Sequence, residues 1–256
     1  MGAIEWAASN ANTLPLLYLP SEEGVMLPGD SRVLTVSTAT ALAAVEAAGD
    51  EGCLGCLFGT SAGHVAAVTS LLEIREVVRK PIGAVIDVVA VGRVHIGSID
   101  DGRFFLGKNV TRVRDVDGSD EVSWKACETL LDDLRSIETE CEGLQQKLAS
   151  PAVAPSLSES AAEMDEALRS LDLDRAPATC IEHLHDLWGV RSTAAAQQHL
   201  LSFAACASMT PAKRLTTLGH LSTAARLHFA RDHAKRLRNR AAAHLAVREA
   251  LEPTRG

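Results

Sequence analysis

The chain has 256 residues, 46% of them hydrophobic and only 4% aromatic, with a formal net charge of −8. That length suits one large domain or two of ordinary size, each with a real core. No apolar run reaches the ~18–20 residues of a membrane helix, and six cysteines are too few for a disulfide framework, so free thiols are expected.

The N-terminus, MGAIEWAASN, carries no basic n-region, no apolar h-region and no Arg-rich transit pattern. Trp6 also stands where a myristoylation signal needs Ser or Thr. Charge is uneven: the chain is acidic over its first two hundred residues and basic from Phe203 onward. Such asymmetry marks either an interaction tail or two ends that neutralise each other within the fold.

Leu14–Leu19 reads as a first strand and Arg32–Val36 as a second, joined through the loop Met26-Leu-Pro-Gly29. Thr38–Ala48 has helical spacing, with Gly49 placed to stop it. Three strands rich in β-branched residues follow at Cys53–Phe58, Val65–Val78 and Ile82–Ile96, a half-buried sheet punctuated at Gly59–Gly63 and Lys80-Pro81. Arg103–Val113 adds another strand after the turn Asp100-Asp-Gly102. From Glu121 onward period-two alternation gives way to helical periodicity, which places a boundary between residues 1–120 and 121–256.

Val122–Ala149 is expected to be a long acidic helix. Cys127, Leu130, Leu134, Ile137, Cys141, Leu144 and Leu148 form a coiled-coil-like seam along it. Ser150–Pro155 reads as a linker, with shorter helices near Glu159–Leu171, Ala178–Trp188 and Thr193–Ala207. Thr210-Pro211 then opens a long helix or helix pair running to about Glu249. Its stripe is Leu227, Ala230, Ala234, Leu237, Ala241 and Leu245, flanked by Arg226, Arg231, Lys235, Arg236, Arg238, Arg240 and Arg248. Two apolar seams with opposite flanking charge are expected to pack on each other, Leu against Ala.

Several motifs offer chemistry, and each lacks its context. Gly59-Thr-Ser61-Ala-Gly63 matches the nucleophile elbow, whose serine stands on a strained strand-to-helix turn above a parallel sheet. Here a β-hairpin turn is the expected setting, and the alternative reading is a serine esterase using Ser61 with Asp87 and a distant His. Gly102–Asn109 approaches a P-loop, but Asn109 replaces the Ser or Thr that would hold Mg²⁺. Cys53 and Cys56 lie in a strand, where residues three apart face opposite sides, so no disulfide is expected. Cys180, His183, His185 and Asp186 form an incomplete ligand set, since His183 and His185 point apart on a helix. The run Lys235–Arg240 lacks the interleaved aromatics of a nucleic-acid surface.

Taken together, Leu14-Pro-Leu-Leu-Tyr-Leu-Pro20, Val25-Met-Leu-Pro-Gly29, Ile82–Ile96 with Gly92-Arg93, and Arg214-Leu215-Thr-Thr-Leu218 resemble the N-terminal, substrate-binding domain of Lon proteases. One departure is Ser37-Thr-Ala-Thr-Ala41, where that family often opens a helix with E-x-R-Y. The resemblance implies an α+β fold, a PUA-like β-barrel followed by an all-α helical bundle. It implies a non-catalytic protein-binding or adaptor module, or a subunit of a larger assembly, without ATPase or protease parts. The expected partner is a protein or peptide segment, with no nucleic acid, no membrane insertion, no cofactor and no metal. Phe104, Phe105, Arg236, Arg238 and Arg240 are the candidate partner-contacting residues. Similarity to stand-alone Lon-domain proteins of bacteria and plastids implies a chloroplast location, with cytoplasm as the alternative.

Overall fold

The computed structural model describes residues 1–9, 11–19, 25–50, 52–59, 65–116, 121–148, 193–207 and 209–251. The β half contains α1 (Ala3–Ala8), β1 (Thr13–Leu19), β2 (Ser31–Val36), α2 (Ala39–Ala48), β3 (Cys53–Phe58), β4 (Val68–Arg79) and β5 (Ala84–His95). Three short strands complete it, β6 (Ser98–Asp101), β7 (Phe105–Lys108) and β8 (Thr111–Arg112). The helical half contains α3 (Glu121–Leu148), α4 (Thr193–Ala204), α5 (Pro211–Gly219) and α6 (Thr223–Leu251).

The strands form one sheet in the order β2-β5-β4-β3-β1-β7-β6, with β8 on the same edge of β5 as β2. All pairings are antiparallel except β1–β3, which are parallel because β2 and α2 intervene in the chain. The expected barrel is not closed: among the described residues the path has two ends, at β2 and β6. Nor is β3 half-buried, since all six of its residues are buried. Gly55 lets β3 lie close to β1, because a Cβ there would come within 2.6 Å of Leu16 Cδ2.

Residue choice explains the elements locally. The Thr38 side chain accepts a hydrogen bond from the Ala41 amide at 3.2 Å, capping α2, and Gly49 ends it at φ +85. Pro211 stands at the first turn of α5, but Thr210 makes no side-chain cap bond there. The final helical stretch is a pair, broken between Gly219 and Thr223. Two elements escaped the periodicity: α1, and β6, whose Asp100 and Asp101 read as a turn. The helices expected at 159–171 and 178–188 lie outside the described residues.

Alternation along the strands sends side chains to two cores. One face of the sheet, with Leu34, Cys56, Ile74 and Ile86, is continuous with Leu130, Leu134, Phe203, Leu218 and Leu227 from the helices. The other, with Cys53, Leu71, Val89 and Val91, is covered by Ala3 and Trp6 of α1 and by Ala196 and Leu200 of α4. Within the helical half, α3 and α6 pack along their lengths as the seams foretold. Cys127, Leu130, Leu134, Ile137 and Cys141 are buried with Leu227, Ala230, Ala234, Ala241 and Leu245. Arg231 lies 3.6 Å from Asp133 and Arg238 lies 3.0 Å from Glu140, so part of the basic charge is met inside the fold. Arg248 donates to the Lys147 and Leu148 carbonyls, satisfying the last turn of α3.

Candidate functional site

The motif residues do not converge. Ser61 lies outside the described residues, but its flanking strands β3 and β4 are antiparallel and Gly59 bridges Val65. Asp87 sits half-buried in mid-β5, paired opposite Val33 and Glu76. Gly102–Asn109 forms the β6–β7 turn and β7, and Lys108 pairs with Asp100 at 2.7 Å. Cys53 and Cys56 are free, buried and in different cores. Burial pushes the Cys53 thiol up to about 12 and raises Cys56 as well, so neither is a ready nucleophile. The Cys180–Asp186 cluster lies outside the described residues.

Of the candidate partner contacts, Phe104, in the turn before β7, packs partly against the larger core and Phe105, the first residue of β7, against the smaller. Arg236 and Arg240 are exposed on α6, while Arg238 is engaged with Glu140 and Asn239.

The most concentrated polar chemistry is a buried node where the two halves meet. Arg93 of β5 and Arg226 of α6 are both 0% exposed, and both reach the Asp115 carboxylate. Arg93 also donates to the Leu218 and His220 carbonyls at 2.7 Å. Arg226 donates through Nε to Ser202 Oγ at 2.8 Å and through Nη1 to Asp115 at 2.9 Å and to the His220 carbonyl at 3.0 Å. Thr223 donates to Asp115 at 2.8 Å, and His199 Nδ1 lies 3.0 Å from the same carboxylate. The Phe203 ring lies 4.2 Å from the Arg226 guanidinium carbon and 5.3 Å from that of Arg93.

Burial pulls against charge throughout this node. It would raise the Asp115 pKa, but the bond from His199 and the Arg226 charge hold the carboxyl far below its ordinary range. Burial, then the Arg226 charge, lowers Arg93 to about 10. Burial also lowers His199, which keeps its imidazole neutral. His199 and Asp115 resemble a catalytic dyad in geometry, yet the nearby Ser202 hydroxyl donates to the His199 carbonyl and accepts from Arg226. The node is therefore a clamp between halves. Arg93 and Leu218 belong to two of the short sequence motifs, while Arg226 flanks the apolar stripe of α6. Asp115 and His199 had no motif to mark them.

A second feature lies at the far end of β5. There the β4–β5 hairpin and β2 form a projection on which Val33, Thr35, Val78 and Ile82 are exposed. Cross-strand pairing sets Thr35, Val85 and Val78 in one row and Val33, Asp87 and Glu76 in the next. Val33 is 66% exposed, Val78 38%, and Ile82 in the hairpin turn 86%. Gly83 makes that turn at φ +91, where a Cβ would strike the Val36 carbonyl. β2 ends the sheet path, so among the described residues its outer edge has no strand partner. Sequence reasoning missed this face. Its signal was a large aliphatic, Ile82, in the turn Lys80-Pro-Ile-Gly83.

No described helix is long and apolar enough to cross a membrane. No protein-family profile and no curated protein sequence matches the chain. Among solved structures, the chain is similar to the N-terminal domain of a Mycobacterium avium complex Lon protease, at 16% identity and a TM-score of 0.46, covering 87% of this chain and 98% of that one. It is also similar to a Lon N-terminal domain protein from Xanthomonas campestris, at 16% identity and a TM-score of 0.44, covering 85% and 96%. Over most of its length, then, the chain is similar to Lon N-terminal domain proteins.

Proposed function

We propose that this protein is a non-catalytic protein-binding module, and that it holds an extended segment of its partner against the β2–β5–β4 projection. One observation carries the reading: Val33 of β2, Val78 of β4 and Ile82 of the hairpin turn are all exposed, and among the described residues the outer edge of β2 has no strand partner. An open edge supplies backbone hydrogen bonds to an added strand, and an apolar face supplies contact for alternate side chains.

The test is binding of fluorescently labelled extended apolar peptides by anisotropy. Val33→Lys, opposite Asp87, combined with Ile82→Lys is expected to weaken binding at least tenfold with thermal unfolding unchanged. Glu128→Ala, on an exposed face of α3, serves as the control and is expected to bind as the parent does. A peptide bound equally well by parent and double variant would refute the assignment.

A further inference from the structure

A cleft of about 500 Å³ opens between α1 and the end of the sheet, with Trp6, Asn12, Val110, Thr111, Arg112 and Arg114 among its walls. That volume suits a small ligand or one end of a larger one. It lies beside the C-terminal end of β5, where Arg112 pairs with Val94. The exposed projection is at the other end of the same strand, roughly 30 Å away at ~3.3 Å per residue. The two sites are therefore separate.

The chain makes the cleft by alternation. Val113 donates to the Arg93 carbonyl at 3.1 Å, which carries the extended path of β8 onward. Side chains then alternate: Asp115 enters the buried node, while Arg112 and Arg114 line the cleft. The nearest acid in sequence is thus already engaged, by Arg93, Arg226, His199 and Thr223. Among the described residues neither Arg112 nor Arg114 has a carboxylate partner. Burial, then the Arg114 charge, lowers the Arg112 pKa, as expected of a cation facing another cation. Two neighbouring guanidinium groups without a counter-ion are an uncompensated anion site.

The remaining walls say which anion. Trp6 is 3% exposed and its indole N–H is already satisfied by the Thr13 carbonyl at 3.0 Å, so the ring is left as an apolar wall. Val110 is buried beside it, its amide bonded to the Asn12 carbonyl at 2.9 Å. There is no lysine among the lining residues and no glycine-rich cradle for a phosphate. Planar guanidinium forks match a carboxylate bidentately, and the apolar walls match a side chain attached close to it. We propose that this cleft is a carboxylate site that takes the C-terminal residue of a peptide, with Arg112 and Arg114 on the carboxylate and Trp6 and Val110 against its apolar side chain.

The experiment titrates the full chain with a ten-residue peptide ending in Leu, as the free acid and as the C-terminal amide. Binding is followed by NMR at the Trp6 indole N–H, with N-acetyl-leucine and inorganic phosphate as further probes. The free acid is expected to shift the Trp6 signal and to bind at least tenfold more tightly than the amide. Arg112→Gln and Arg114→Gln are each expected to weaken it at least fivefold, and the more exposed Arg114 gives a variant that keeps the fold. N-acetyl-leucine is expected to bind at the same signal but more weakly than the peptide. Equal binding of acid and amide, an unmoved Trp6 signal, unchanged affinity in Arg114→Gln, or phosphate binding tighter than the acid would each overturn the proposal. Equal affinity for N-acetyl-leucine and the peptide would also overturn it, because the site would then read a free small carboxylate rather than a chain end.

Discussion

Two of the contacts made by the helical half, the α3–α6 seam and the Asp115 node, work by opposite means. The α3–α6 seam is long, apolar and local in its logic: each helix advertises its stripe, and charges sit at the rim. The Asp115 node is compact, ionic and assembled from β5, the segment after β8, α4 and α6. In the seam, area does the stabilising and the rim pairs choose the partner. In the node, geometry decides, because two buried guanidinium groups are tolerable only while their carboxylate and carbonyl partners stay in place.

The sharpest way to break the comparison is Asp115→Ala. It leaves Arg93 and Arg226 buried together against Phe203, and a loss of about 3–5 kcal/mol is expected in denaturant unfolding, since removing one partner of a buried pair costs that much. A loss below 1 kcal/mol would mean the node is wetter or looser than its geometry implies. Next comes Leu134→Ala, expected to cost about 2–5 kcal/mol through lost burial and a residual cavity. Its signature should be regional, with faster amide exchange around Leu237 on α6, whereas Asp115→Ala should also loosen β5.

Acid separates the two contacts more gently. His199 is held neutral by burial, and burial pushes His233 down to about 4, so unfolding lets both take up protons. Their contribution is complete above the ordinary histidine pKa of about 6.5 and is lost as pH falls through it. The depressed carboxyl of Asp115 adds a second loss below about pH 4, its unfolded value. Burial raises Asp30, which works in the opposite direction. Stability is thus expected to fall from about pH 6.5 downward, and in His199→Gln the upper part of that slope should shrink. The smallest effect is expected at the rim. Arg238→Ala should cost about 0–1 kcal/mol, diminishing in high salt, because its Glu140 partner is half exposed.

The same contrast explains what the sequence disclosed. Strands β1 to β5 and the long helices were readable because apolar residues recur at the right period over many positions. Even the pairing of α3 with α6 followed, since complementary seams 100 residues apart in the chain still carry their own patterns. The short motifs were readable as motifs but not as fasteners. Arg93 reaches the Leu218 carbonyl, and Arg214 pairs with Asp30 beside Gly29, so three of the quoted segments meet in space. Nothing in spacing could say so. Asp115 and His199 sit alone in unremarkable sequence, and the cleft exists only because Asp115 turns inward while its neighbours turn out. The barrel was what the resemblance implied, and among the described residues the sheet instead ends at β2 and β6; strand periodicity could not decide this, because it fixes faces and not which edges join.

The node also bears on how the chain reaches this state. Its bonds span separations of 111 residues between Asp115 and Arg226 and 127 between Arg93 and His220. Closing such long loops costs entropy before any bond repays it, so these contacts belong to the late side of the folding barrier. Interactions absent from a transition state act on escape rather than arrival. The two arginines therefore set how long the assembled molecule persists, and leave its refolding rate to local pairings such as the β4–β5 hairpin.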